Sequence, residues 1–187
     1  MTVSVPASAF IACTALVAAL LPGMAEEMNM VKLHVDSFNV IGIETRTTNA
    51  QEASDGTIGK LWGRLATEDL LSRIPHRVDA HIIAVYSDYE SDKDGPYTYT
   101  LGAKVSSTQD IPAGMVSKKV LSGDYAMFTA QGGAPPQMTV DLWKRIWSLE
   151  KPGPLHRAYK TDFEVHYDGL KAHPPDTHID VYIGVQK

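Results

Sequence analysis

The 187-residue chain contains a single cysteine, Cys13, which falls in an apolar leader ahead of every patterned segment. The patterned part therefore has neither a disulfide framework nor a thiol nucleophile. Seven histidines show none of the paired spacings that zinc sites use, so no metal centre is expected. Basic charge is also scarce: 17 Lys and Arg face 22 Asp and Glu, a formal net charge of -5. With no basic stripe, helix-turn-helix or zinc-finger spacing, direct nucleic-acid binding is not expected, because displacing counterions from phosphate takes clustered Lys and Arg. A role in transcription would need a separate DNA-binding regulator. The glycine-rich "QGGAPP" at 131–136 lacks the Lys and Ser/Thr of a phosphate cradle. No spacing recommends a Ser-His-Asp triad, and no cofactor is implied.

Long apolar runs are missing too. "AFIACTALVAALLPGMA" falls short of the ~20 residues of a membrane span and is broken at Pro22-Gly23. Small residues before Glu26 suit signal-peptide cleavage after Ala25, yet no basic residue precedes the run, the first being Lys32. Residues 1–27 are thus either a signal-peptide-like leader or the product of a start placed upstream of Met28 or Met30. The expected location is cytoplasmic, with export as the alternative. Residues 28–187 form one domain.

Within that domain the chain is written twice. "NVIGIETRT" at 39–47 and "YAMFTAQG" at 125–132 are strand-like runs, each followed by a loop and a helical pattern. Ile58, Leu61, Trp62 and Leu65 recur at helical spacing, extended by Leu70, Leu71 and Ile74. Leu142, Trp143, Ile146 and Trp147 do the same, with Thr139 as the N-cap. Leu61-Trp62 answers Leu142-Trp143. Next comes an acidic strand, "SDYESD" at 87–92 against "TDFEVHYD" at 161–168. "YTYTLGAKV" and "HIDVYIGVQ" close the halves, Gly102 against Gly184. The halves run over about 31–108 and 115–187, joined by "SSTQDIPAGM". The expected fold class is α+β: a duplicated strand-helix-strand-strand unit with a pseudo-twofold, building one antiparallel sheet with two helices and a central ligand cleft.

Strand alternation sets the candidate site. Phe163 and Val165 are assigned to the helix side, which points Glu164 the other way. Tyr182, alternating with Val181 and Ile183, joins Glu164 on that face. Glu90 approaches the groove from the other half, and Tyr97 and Tyr99 go to the core with Leu101. A carboxylate in a poorly solvated groove is costly unless compensated, and a cationic ligand flanked by aromatic rings compensates it. The plainer reading is a strand-face Glu paired with Lys or Arg. Trp62 and Trp143 are either matched cleft walls or matched core plugs; Trp147 is core or edge. The ligand-binding set is Glu164, Tyr182, Trp62, Trp143 and Glu90. Replacing Glu164 with Gln is expected to leave stability intact or raise it.

"RTTN" at 46–49, "VYSDYESD", "GPYTYTLGAKVSS", "IPAGM" and "TDFEVHYDG" occur in the order found in the GyrI-like effector-binding family, and the chain resembles its stand-alone YdeE-type members over roughly 31–187. The resemblance implies a duplicated fold around a cleft that binds cationic or aromatic amphiphiles. In such proteins this is often the sensor half of a transcription activator, with an acid on the cleft floor that Glu164 matches. Two alternatives accompany it. One is a hydrolase opening strained, electrophilic natural products, with Glu164 as general base once burial raises its pKa. The other is a protein inhibitor of a topoisomerase-like partner, displaying an apolar patch outside the groove.

Overall fold

Both anticipated halves are present, but each begins one strand earlier than the repeat suggests. The computed structural model describes residues 30–186 apart from 151, 168, 172 and 173, so the leader at 1–27 lies outside the described residues. The elements run β1 (Val31–Val35), β2 (Phe38–Thr47), α1 (Asn49–Asp55), α2 (Thr57–Thr67), α3 (Leu70–Arg73), β3 (Ile82–Ser87) and β4 (Tyr97–Val105). They continue as β5 (Val116–Val120), β6 (Gly123–Gln131), α4 (Gln137–Ser148), β7 (Arg157–His166) and β8 (His178–Val185). One antiparallel eight-stranded sheet takes the order β1-β6-β8-β7-β3-β4-β2-β5. The repeated unit is strand-strand-helix-strand-strand, and the leading strands change sides: β1 pairs with β6, and β5 with β2.

That exchange forces the sheet to curl. In a flat sheet β1 and β2 would lie six spacings apart, ~29 Å at ~4.8 Å each. Only three Cα steps separate Val35 from Phe38, at most ~11 Å. The register shows how this is resolved. Val35↔Gly123 ends one ladder and Phe38↔Val120 starts the next, each chain advancing by three residues. β1–β2 and β5–β6 are two long bent strands paired along their whole length.

Curling gives the sheet two apolar faces. On the outer one, α2 and α3 cover β2, β3 and β4 through Leu61, Leu65, Leu70, Ile41, Ile82 and Leu101. α4 covers β6 and β8 through Leu142, Trp143, Ile146, Ala126, Val181 and Ile183. The inner face holds Val40, Ile83, Val85, Val120, Tyr125 and Phe163. Thr48 caps α1, its hydroxyl accepting from Gln51 N–H at 3.1 Å. Gly56, at φ 57° in the left-handed region, ends α1 and lets α2 begin at once. α4 starts at Gln137, two residues ahead of the Thr139 cap expected from sequence.

Three expectations about β3, β7 and β8 are corrected by this geometry. Phe163 and Val165 pack inside the curl, so Glu164 faces toward the helices rather than away from them. Tyr182 stacks on Phe163 with ring centroids 4.4 Å apart and therefore lies on the face opposite Glu164. The strand-period argument failed because both faces of β7 are covered, and its polar side chains are the ones turned toward the helices. Finally, "SDYESD" is no strand. β3 stops at Ser87, and Asp88 turns the chain with φ 52°, carrying Glu90 into an exposed loop.

Gly42 and Gly102 face each other in the β2–β4 ladder. A Cβ on Gly102 would sit 2.0 Å from the Ile41 carbonyl oxygen. Gly102→Ala is therefore expected to cost about 1–3 kcal/mol by forcing the two strands apart. The check is a fall in the urea midpoint at constant m-value; an unchanged midpoint would mean that the crossing has slack.

Candidate functional site

α2 and α4 stand on the outer face on either side of the central β3–β7 pair, and the gap between them is a cleft of about 700 Å³. Its floor is made by β7. Glu164 is 1% exposed, and three groups donate to its carboxylate. Tyr86 Oη lies 2.7 Å and Trp143 Nε1 2.6 Å from Oε1, while His166 Nε2 lies 2.7 Å from Oε2. Burial, the largest single influence, pushes the carboxyl pKa up. The His166 contact, followed by the Trp143 and Tyr86 donors, outweighs it and holds Glu164 below the usual glutamate value. Glu164 is an anion at neutral pH.

The walls are aromatic. Trp62 from α2 donates to Tyr99 Oη at 2.9 Å and packs on His166 with ring centroids 4.7 Å apart. Tyr86 lies 4.8 Å from Trp143 and 5.0 Å from Tyr99, ring centre to ring centre, joining the cores of the two halves. Burial and then Glu164 push the Tyr86 and Tyr99 hydroxyls well above the usual phenol range, so both remain protonated. Trp147 completes the α4 side, and Val140 and Leu170, both exposed, stand at the mouth. All three tryptophans of the chain line this one cleft.

A second buried charge cluster braces the floor. Arg157 Nη2 meets Asp162 at 2.6 Å and Nη1 meets Glu150 at 2.8 Å. Asp162 also accepts from Tyr89 Oη at 2.7 Å and from Gly184 N–H at 2.8 Å. The Arg157 guanidinium lies 4.5 Å from the Tyr159 ring centre. Burial works against its charge, but Asp162, Tyr89 and Glu150 outweigh burial and keep it charged. β7 can bring Arg157 here because its ladder to β8 shifts register between Arg157 and Asp162, with Tyr159 at φ 51°. At the mouth, Glu52 accepts from Thr47 Oγ1 at 2.6 Å, from Thr57 Oγ1 and from Ile58 N–H at 2.9 Å.

Of the residues picked from sequence, Glu164, Trp62 and Trp143 come together in the cleft. Tyr182 and Glu90 do not. Glu90 is exposed and pairs with Arg46 at 2.6 Å. With Gly102 set against Gly184, the ladders place Tyr86, opposite Tyr99, where half two has Glu164 opposite Val181. The half-one counterpart of the floor acid is thus a tyrosine, and it hydrogen-bonds to that acid. Tyr97 and Tyr99 are buried, as expected, but line the cleft as well. Tyr86 and Arg157 were missed. Arg157 carries no sequence signal, since a register shift places it. His166, passed over when the histidine spacings excluded a zinc site, could have been found from its position two residues beyond Glu164 on the same face.

A family model described as Cass2, integron-associated effector binding protein, matches residues 33–185. The putative transcriptional regulator protein YobU of Bacillus subtilis is 30% identical over 157 residues, which span 82% of this chain and 96% of that protein. The integron cassette protein VCH_CASS2, from the mobile metagenome of Vibrio cholerae, is 30% identical with a TM-score of 0.68, covering 85% of this chain and 97% of its own. SAV2435, solved bound to tetraphenylphosphonium, also reaches 0.68 over 85% of this chain and 94% of its own; at 18% identity the likeness is one of fold.

The three donors on Glu164 reverse the stability expectation for its amide variant. A carboxylate whose folded pKa is depressed stabilises the fold above its unfolded pKa, ~4.3, and loses that contribution as pH falls through the folded value. Glu164→Gln should therefore be about 1–3 kcal/mol less stable than the native chain at pH 7. The gap should close below pH 4, as followed by urea unfolding across pH. Equal stability at every pH would make the donors incidental. Asp162→Ala, which strips a buried guanidinium of one partner, should cost about 3–5 kcal/mol in the same assay.

Proposed function

The chain belongs to the Cass2 family of integron-associated effector binding proteins, and on that premise we propose that its cleft takes up organic cations and cationic aromatic amphiphiles, with Glu164 as the countercharge. The observation that carries this reading is the state of Glu164, an anion 1% exposed beneath aromatic walls, with both oxygens already accepting. Its lone pairs are largely used, yet its charge is not cancelled by a fixed cation. Arg157, the nearest guanidinium in the lining, is matched by Asp162 and Glu150. Such a floor favours ligands whose positive charge is diffuse and needs no hydrogen-bond acceptor. At ~5 Å and an effective dielectric near 20 the attraction is about 3 kcal/mol, and each well-placed ring adds ~0.5–2 kcal/mol.

The same state argues against a hydrolase. A general base needs a pKa brought up toward neutrality and an oxygen turned to the reacting water. Glu164 has the opposite shift, and its oxygens are engaged. The exposed large apolar residues among those described are Val31, Val78, Ile111, Leu121, Val140 and Leu170. They are scattered, apart from Val140 and Leu170 at the cleft mouth, which gives little support to an inhibitor surface elsewhere. No helix among the described residues is long and apolar enough to cross a membrane.

Tetraphenylphosphonium is a suitable probe because its charge is permanent and shielded by rings, and the cleft tryptophans report its arrival by fluorescence. The native chain should bind it with quenching. Folded Glu164→Gln should lose about 1–3 kcal/mol of affinity for it, while neutral triphenylphosphine oxide changes little. No binding of the cation, or equal loss for both probes, would falsify this reading.

A further inference from the structure

His166 lies beside Glu164 on the cleft floor, 9% exposed, with Nε2 2.7 Å from Glu164 Oε2. Its ring packs against Trp62 from α2. On the flanking strands it pairs with Ile82 of β3 and Ile179 of β8, neither of which titrates. Tyr86 and Trp143 reach the other carboxylate oxygen. The remaining charged side chains of the lining have their own partners: Glu52 its hydroxyls, Arg157 its two acids, Lys93 the neighbouring Asp94. His178 at the rim meets Asp180 at 3.3 Å.

We propose that His166 sets the charge preference of the cleft. As the neutral imidazole it donates to Glu164 and leaves the floor anionic, which admits cations. As the imidazolium it cancels the carboxylate, and the same aromatic cleft then suits neutral ligands. This rests on the cation-binding reading of the site and adds to it a group that decides when that reading applies. Glu164 is held below the usual glutamate value and keeps its charge, so a proton arriving at this pair is taken by the His166 ring. A cation and a proton then compete for one counterion. Binding of the cation expels the proton, and protonation expels the cation to the same extent.

The test uses the full chain and tetraphenylphosphonium, whose charge does not vary with pH. Affinity should weaken about tenfold from pH 8 to pH 5.5. Calorimetry near pH 6.5 in two buffers of different ionisation enthalpy should show proton release on binding. Triphenylphosphine oxide should bind no worse at the acid end. His166→Gln, which keeps an N–H for Glu164 Oε2, should lose both the pH slope and the released proton. A flat profile in the native chain, or no proton released, overturns the role of His166 while leaving the cation reading intact. A slope that survives in His166→Gln assigns the proton to another group and overturns it too. Absence of tetraphenylphosphonium binding at every pH removes the cation reading and this inference with it. Should His166→Gln fold poorly, His178→Gln removes the other imidazole of the lining: proton release that it retains supports His166, and release that it abolishes overturns the proposal.

Discussion

One buried carboxylate ties the outer face together. Glu164, 1% exposed, draws Tyr86 from β3, Trp143 from α4 and His166 from its own strand onto two oxygens. Leaving it unpartnered there would cost several kcal/mol, so the three donors are held in fixed places. Their rings then become the nearest walls of the cleft. The position of α4 over the sheet, the pose of Tyr86 between the two hydrophobic cores and the negative floor all follow from satisfying one side chain. The Arg157–Asp162–Glu150 cluster does the same work one register shift along β7, and it ties the β8 backbone to β7 through Gly184.

Much of the architecture was legible because it is repeated. Leu61-Trp62 and Leu142-Trp143 announced two equivalent helices, and the closing strands were marked by Gly102 and Gly184. The leading strands were not legible. "VKLHV" and "VSKKV" are short and half polar, and each docks on the half to which it does not belong. A pattern search that treats each half as self-contained cannot find such pairing. The helical segment of half one broke at Asp69 into α2 and α3, and α1, ended by Gly56, formed ahead of it where a loop was expected.

The site was legible as a residue type and illegible as a direction. β8 was assigned correctly, Val181 and Ile183 lying under α4 with Tyr182 turned away. β7 was assigned the wrong way round, because Phe163 is large, apolar and buried on the side that carries no helix. Alternation yields two faces without naming them, and only the curl of the sheet shows that the helix-free side is also a core. Glu90 misled for another reason: its sequence imitates β7, but the backbone leaves β3 before reaching it. The aromatic partners sat in plain view in "VYSDYESD" and "YTYTLGAKV", though nothing in one dimension says which rings converge on one acid.

The exchange of β1 and β5 has an ancestral implication. A chain of half this length would have no place to dock its own leading strand except on a second copy, so the fold amounts to a strand-swapped homodimer fused into one polypeptide. In the dimer, symmetry would put the same residue at both central positions. Two buried glutamates facing each other across the axis would each oppose the other's ionisation, and two tyrosines would supply no charge. A single polypeptide escapes that restriction. It can hold Glu164 in one half and Tyr86 in the other, an acid and its own donor, where a symmetric assembly has only one or the other twice.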